Sequence, residues 1–328
     1  MTGLLKGLTR NAPITLSLMD NPFNNLTPQH VLLTGGTGFI GSLITSQLLA
    51  AHHKVTLLTR FPEKAKTLLG PNISVISQLN ELASLPDVDC VINLAGKQIV
   101  GLPWSQKQKN KLIESRLNIT TQLVSWFKQC PQKPQLVIQA SAIGFYGVRD
   151  GDEILTEESL TGQGFMAELC QIWEEKAQLL SDDNTRLVTF RLGVVFGQGG
   201  ALPKLALPFY FGVGGKLGDG KQILSWVHRE DVSRAFAFAM TNSTVNGTYN
   251  LVAPETISQQ NFASTLGKYI KRPSFFPMPK LVLTSMLGEM ADVFVGGQNV
   301  SSAKLQASGF SFNHPTVIDG LRATSIIC

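Results

Sequence analysis

The chain has 328 residues, 43% apolar and 16% charged, a balance that excludes a disordered protein. Its length suits one large α/β domain, or a domain with a smaller lobe. The net charge of +5 comes from scattered Lys and Arg with no basic block, which argues against nucleic acid and fits a phosphate-bearing small molecule.

Cys90, Cys130, Cys170 and Cys328 are far apart. Their spacing offers no metal site and fits a reducing compartment. No apolar run reaches the ~18 residues of a membrane span. The N-terminus lacks a signal peptide's apolar core and cleavage site, so the expected address is the cytoplasm. Residues 1–28, with Pro13, Pro22, Asn24, Asn25 and Pro28, read as a loosely held extension, within which Met19 offers an alternative start.

Strands then alternate with helical patterns. HVLLT (30–34) is a strand, and residues 39–51 form a helix with Ile40, Leu43, Ile44, Leu48 and Leu49 at helical spacing. KVTLLT (54–59) is the second strand, and Pro62 opens a short helix at the position proline tolerates best. ISVI (73–76) and CVINLA (90–95) are strands, and a long helix runs from Ser105, its N-cap, to about Lys128. QLVIQAS (135–141) and RLVTFRLG (186–193) flank a helix at 165–180. Continuous apolar strands imply burial on both faces, hence a doubly wound parallel sheet of the Rossmann kind. Residues 197–222 are rich in glycine and proline and read as loop. Helices near 229–241, 258–270 and 279–293 follow. The division expected is a Rossmann domain over 29–197, with later strand contributions near 224–251, and a smaller C-terminal lobe over 198–328.

The glycines of VLLTGGTGFIG (31–41) carry the first functional signal. The leading ones permit the turn out of the strand, Gly38 lets backbone amides approach a pyrophosphate, and Gly41 lets the helix lie close to the strand. The helix N-terminus then offers N–H donors to the anion. Gly35, Thr37, Gly38, Phe39, Ile40 and Gly41 are therefore cofactor-binding candidates. NAD sites place an acid at the end of the second strand to hold the ribose 2′-hydroxyl. Here Arg60 stands there, with Lys64 and Lys66 after it. A guanidinium favours a 2′-phosphate, so the cofactor read is NADP.

TGGTGFIG, NLAG (93–96), SAIGFYG (141–147) and WVHREDV (226–232) resemble the extended branch of the short-chain dehydrogenase/reductase superfamily, which holds the sugar-nucleotide epimerases and dehydratases. GLPW (101–104), ESR (114–116), LCQIWE (169–174) and GGQNVSSAKLQASGFSF (296–312) resemble one atypical subgroup, the epimerase-family proteins with a small C-terminal domain of unknown function. The resemblance covers about residues 30–322. It implies that Leu94, Ala95 and Gly96 line the adenosine and ribose side of the cofactor. It places Ser141, Ala142 and Ile143 near the nicotinamide, and Arg191 at a strand end beside the pocket.

The superfamily works through a Tyr-x-x-x-Lys pair and a Ser or Thr, the Tyr acting as acid/base. In FMAELCQIWEEKAQLL (165–180) there is no tyrosine. Leu169 and Trp173 hold the equivalent positions and Ala142 that of the Ser or Thr. Lys176 has Ile172 four residues before it. No catalytic residue is assigned; Tyr146, Lys97 and His228 are the candidates. Lys97 directly follows NLAG, within reach of the nicotinamide or an acidic substrate; against the other two stand a structural tyrosine and a histidine packing its helix start, with Asp231 as starter or cap of that helix. Trp104, Tyr146, Trp173 and His228 are the expected substrate-pocket residues, with Trp104 and Trp173 as an apolar wall; Trp173 reads equally as core. Glu174 and Glu175 read as a solvated helix face. Two functions remain open. One is an NADP-dependent oxidoreductase or epimerase-like enzyme for a small substrate, monomeric or homodimeric. The other is a non-catalytic NADP-binding regulator, since members of the subgroup in cyanobacteria and plastids are linked to division control.

Overall fold

The computed structural model describes residues 21–71, 73–84, 87–101, 103–149 and 153–325. Residues 1–20 of the expected loose extension lie outside these. Its last part is not loose: Phe23 is fully buried in the main core, and Asn21 donates to the Gln47 carbonyl at 2.7 Å.

Seven parallel strands form the central sheet: β1 (His30–Thr34), β2 (Lys54–Leu58), β3 (Ser74–Ile76), β4 (Cys90–Asn93), β5 (Leu136–Ala142), β7 (Arg186–Leu192) and β10 (Gly247–Leu251). Their order across the sheet is β10-β7-β5-β4-β1-β2-β3. The chain winds outward from β1 in one direction and from β4 in the other, which leaves a crevice at the β1/β4 switch point. Every residue of β1 and β4 is buried, as their unbroken apolar runs require.

Helices α1 (Phe39–Ala50), α2 (Pro62–Leu69), α3 (Gln106–Gln129) and α4 (Phe165–Gln178) form where periodicity places them. The Ser105 side chain caps α3 by accepting from the Gln108 amide at 3.3 Å. The 197–222 stretch is not all loop, because α5 spans Ala201–Tyr210. Pro203 sits in its first turn, where no N–H partner is needed, and Pro208 sits close to its end.

Two short parallel pairs lie outside the main sheet. β6 (Ile154–Leu155) pairs with β11 (Asn299–Val300), and β8 (Val194–Phe196) with β9 (Trp226–His228). Of the strands near 224–251, only β10 therefore joins the main sheet. The remaining helices are α6 (Arg229–Thr241), α7 (Gln259–Tyr269), α8 (Lys280–Leu287), α9 (Asp292–Val295), α10 (Ala303–Ala307) and α11 (Val317–Thr324). A separate apolar cluster of Phe196, Phe209, Trp226, Phe262 and Leu321 holds α5, α7 and α11 against the β8/β9 pair. Among the described residues no helix is long and apolar enough to cross a membrane.

Candidate functional site

A cleft of about 1730 Å³ opens at the C-terminal ends of β1, β2, β4, β5 and β7. Gly35, Thr37, Gly38, Phe39, Ile40 and Gly41 form its floor. The glycines there serve different needs. A Cβ on Gly36 would meet Leu57 Cδ1 at 2.1 Å, and one on Gly41 would meet the Gly35 carbonyl at 2.3 Å, so packing alone demands both. Gly35 has φ +71°, in the left-handed region. Gly38 is different: a Cβ would find only the Gly35 carbonyl, at 3.1 Å. Protein packing gives Gly38 little reason to be glycine, whereas a ligand pressed against α1 does. The first turn of α1 carries neither an acid nor a side-chain cap, so its orphan N–H groups are free for an anion. This is a cradle that fits a dinucleotide phosphate. Thr59, Arg60, Lys64 and Ser77 line the far end, beyond β2. Arg60 is exposed there, with its guanidinium 5.7 Å from the Phe61 ring.

The opposite wall is built on a satisfied polar network. Thr34 donates to Asn93 Oδ1 at 2.6 Å, and Asn93 donates to Gln139 at 2.8 Å and Thr120 at 3.1 Å. Thr34 Oγ1 also accepts from the Ala95 amide at 3.2 Å. These bonds fix Leu94, Ala95 and Gly96 along the cleft. Trp173 lies just below, 5% exposed, its indole N–H on Thr120 Oγ1 at 3.1 Å. It belongs both to the core and to the cleft wall. Leu169, Cys170, Ser141 and Ala142 complete that wall. Burial pushes the Cys170 thiol up to about 12, so it stays protonated. Trp104 also faces the cleft, edge-on to Phe165 with centroids 5.1 Å apart.

Several expectations are corrected here. Tyr146 is fully buried and does not line the cleft. Its hydroxyl donates to Asn250 Oδ1 at 2.7 Å and accepts from Arg191 at 2.9 Å, and burial raises its pKa. Arg191 does not face the cleft either. It grips Glu174 through two bonds, at 3.0 and 2.8 Å, with its guanidinium 3.4 Å from the Phe145 ring. Burial opposes the Arg191 charge, but Glu174 more than offsets this and the net shift is upward. Glu174 is thus no solvated residue: it is 8% exposed and also accepts from Ser141 at 2.5 Å. Glu175, by contrast, is exposed and bonds Gln171.

His228 is corrected as well. It is 2% exposed, lies outside the cleft, and caps α6 by accepting from the Glu230 amide at 3.4 Å. Asp231, expected to start or cap α6, lies in its first turn rather than at the cap and accepts from the backbone amides of Asn313 and His314, at 2.7 and 3.0 Å. His228, Glu230 and His314 bring ligand-type atoms within 4.8 Å of one another. Glu230 Oε2 lies 2.9 Å from His314 Nε2 and 3.9 Å from His228 Nδ1, so the grouping is built on a His314–Glu230 pair. Of the catalytic candidates only Lys97 faces the cleft, with Nζ donating to Gln108 Oε1 at 3.0 Å.

Comparison with known proteins agrees with this geometry. Residues 31–251 match the model of the NAD dependent epimerase/dehydratase family. The chain belongs to that family. Residues 278–324 match a domain of unknown function, DUF1731. The chain is 36% identical to the epimerase family protein YfhF of Bacillus subtilis, over 87% of this chain and 94% of that one. It is 34% identical to the mouse epimerase family protein SDR39U1, over 89% and 98%. The crystal structure of human SDR39U1 with NADPH is similar at TM-score 0.81 and 33% identity, covering 90% of this chain and 99% of that one. A UDP-glucuronic acid 4-epimerase from Bacillus cereus, in complex with NAD, shares the fold at TM-score 0.70 and 21% identity. A nicotinamide dinucleotide is accordingly the cofactor class of this epimerase-family chain.

Within the family fold one residue stands out that sequence reading quoted without a role. Arg116 of the ESR stretch is 8% exposed, lines the cleft, and stacks over Trp173 with its guanidinium 5.0 Å from the ring. It donates to the carbonyls of Lys97 and Leu112, each at 3.2 Å. Among the described residues it has no carboxylate partner, and burial lowers its pKa. A buried cation facing a cleft without a counter-ion calls for an anionic ligand. The signal lay in α3 itself: Leu112, Arg116 and Thr120, each four apart, share its buried face.

Proposed function

We propose that this epimerase-family protein binds NADP(H) and exchanges hydride with a small carbonyl or alcohol held beside it. The observation that carries the reading is the extent of the cleft. It continues past the glycine cradle to Lys204, Leu217, Phe262 and Phe294, leaving room for a second molecule. NADP rather than NAD is supported by Arg60 and Lys64 at the end of β2, with no acid lining that end; the NADPH in human SDR39U1 supports the same choice. The cofactor supplies the hydride. The cradle at α1 binds it, and Leu169, Trp173 and Phe165 keep water from the reacting face. Arg116 stabilises negative charge developing on the substrate oxygen. A guanidinium does not release its proton, so the proton comes from water or from the Lys97 ammonium.

A second reading, a non-catalytic NADP-binding regulator, is favoured by the apolar trio Ala142, Leu169 and Trp173, which leaves no Tyr–Lys pair on α4. One experiment separates the two. Mass spectrometry identifies the ligand that copurifies, and carbonyl and alcohol panels are then screened by NADPH absorbance. Turnover abolished by Arg116→Met supports the enzyme. Tight NADPH binding with no turnover on any panel supports the regulator.

A further inference from the structure

The cleft leads into an apolar annex of about 200 Å³ on the lobe side. Lys204, Leu205, Leu217, Gln259, Phe262 and Phe294 belong to both walls and form the junction. Beyond them the annex is lined by Phe209, Val213, Phe276, Met278, Leu283 and Leu287 and stays open to solvent on the side of Val213 and Phe276, which are about half exposed. Only two of its lining residues are polar, and both stand at the junction. Gln259 is already engaged, its Oε1 accepting from the Leu217 amide at 2.8 Å. Lys204 is exposed and makes no ion pair among the described residues.

The lid of the annex is α8. No residue of that helix is buried, and Leu283 and Leu287, one turn apart, are its two side chains in the annex wall. Leu281 and Met286 point outward, 81% and 66% exposed. A helix with so little core of its own is held by what lies beneath it. An apolar groove with one unpaired cation at its mouth suits an apolar chain and offers a nucleotide or a sugar few groups to bond.

We infer that the second molecule in the cleft carries an unbranched apolar chain that lies in the annex, and an acidic group that meets Lys204 at the junction. This rests on the reading of the cleft as an NADP(H) site with room for a substrate. The acidic group is a carboxylate or a phosphate ester; both offer anionic oxygens to an ammonium.

The test is calorimetric titration of the full chain with straight-chain carboxylates from butyrate to dodecanoate, together with decyl phosphate and decanol. Affinity should rise about fourfold per buried methylene, then level off once the annex is full. Leu287→Trp fills the annex from a half-exposed helix and should weaken decanoate binding about tenfold while sparing butyrate. Leu283→Trp, one turn earlier, should do the same if the first variant folds poorly. Lys204→Met should cost about threefold for decanoate and nothing for decanol. The ratio of decanoate to decyl phosphate affinity, lost in Lys204→Met, names the acid. NADPH fluorescence is titrated on the same samples. NADPH binding without saturable carboxylate binding overturns the inference alone. A chain-length series with no plateau, or one insensitive to both tryptophan variants, places the chain on the exposed surface and overturns it too. Absence of NADPH binding defeats the functional reading, while the chain-length series still decides the annex.

Discussion

Arg60 and Arg116 do different work at opposite ends of one cleft. Arg60 is solvent-exposed beyond β2, so its effect should be selective rather than structural. We expect NADP(H) to bind about tenfold tighter than NAD(H), a difference of ~1.4 kcal/mol, and Arg60→Ala to erase that preference without changing stability. Titration of both cofactors against both proteins measures it, and equal affinities in the wild type would sink the assignment. Arg116 is buried and lacks an acid partner, so its charge costs stability in the unliganded chain. Arg116→Met keeps the stem over Trp173 and removes the charge. Its urea midpoint should match or exceed the wild type and its NADPH affinity should hold, while turnover of any substrate the panels reveal falls about 10²-fold or more. A variant that loses stability but keeps its turnover would make Arg116 a packing residue.

Glycines in the same turn should separate in the same way. Gly38→Val adds bulk on the cleft side, where a Cβ meets a single carbonyl at 3.1 Å; NADPH binding should fail while the melting temperature stays within a few degrees. Gly41→Ala drives a Cβ to within 2.3 Å of the Gly35 carbonyl and should destabilise the fold itself, by about 1–3 kcal/mol. Thermal denaturation and NADPH titration of the two variants give opposite patterns if this division is right.

At the scale of elements, six of the seven strands of the main sheet and the first four helices were legible because each announces itself locally. β1 and β4 are unbroken apolar runs buried on both faces, and α3 begins at a serine that caps it. Helix α5 was not legible, since two prolines suggest loop and only their placement, in the first turn and near the end, makes them compatible with a helix. The pairing of Glu174 with Arg191 was hidden for another reason. The two sit on different elements, and nothing local to α4 marks Glu174 as buried. Tyr146 is the same case, since its partner Asn250 is 104 residues away.

The start of α6 has its own pH signature. Burial, and then the charge of His314, hold His228 down from 6.5 to about 4. The unfolded chain takes up this proton near pH 6.5 and the folded chain only near 4, so stability drains as pH falls through that window. His314 acts oppositely. Burial lowers its pKa, but Glu230 and Asp231 raise it to a net value above 6.5. Its contribution is full below 6.5 and fades as pH rises through the raised value. His228→Asn can keep the cap and removes only the acid-side loss. Relative to wild type it should gain about 1.4 kcal/mol per pH unit on acidification between pH 6.5 and 4. Urea midpoints measured across that range check this, and a flat difference would refute it.

For the whole molecule, the shared fold of the nucleotide-sugar epimerases does not carry their chemistry with it. Leu169, Trp173 and Ala142, the positions to which the sequence resemblance assigns the proton-transfer groups, line the cleft, and no leucine or tryptophan side chain donates a proton at pH 7. General acid–base help is worth ~10²–10⁴ in rate. We therefore expect no measurable turnover of UDP-glucose under conditions where NADPH is bound; brisk epimerisation, followed by product chromatography, would show that another group fills the role. The class of fold and the phosphate cradle were readable because each depends on a short contiguous pattern. The electrostatics of the cleft were not, because Arg116, Trp173 and Gly96 meet only after three separate segments have packed.

The strand order has a consequence for how the protein is made. β10 is the outermost strand of its side and emerges from the ribosome only after α5, β9 and α6. Until residue 251 has been synthesised, β7 pairs with β5 on one side and is an open edge on the other, where Val188, Phe190 and Leu192 later meet β10. Unpaired apolar edges invite mispairing with other chains. A nascent chain stalled between Leu192 and Leu251 would therefore present an apolar edge that the finished chain covers with its outermost strand.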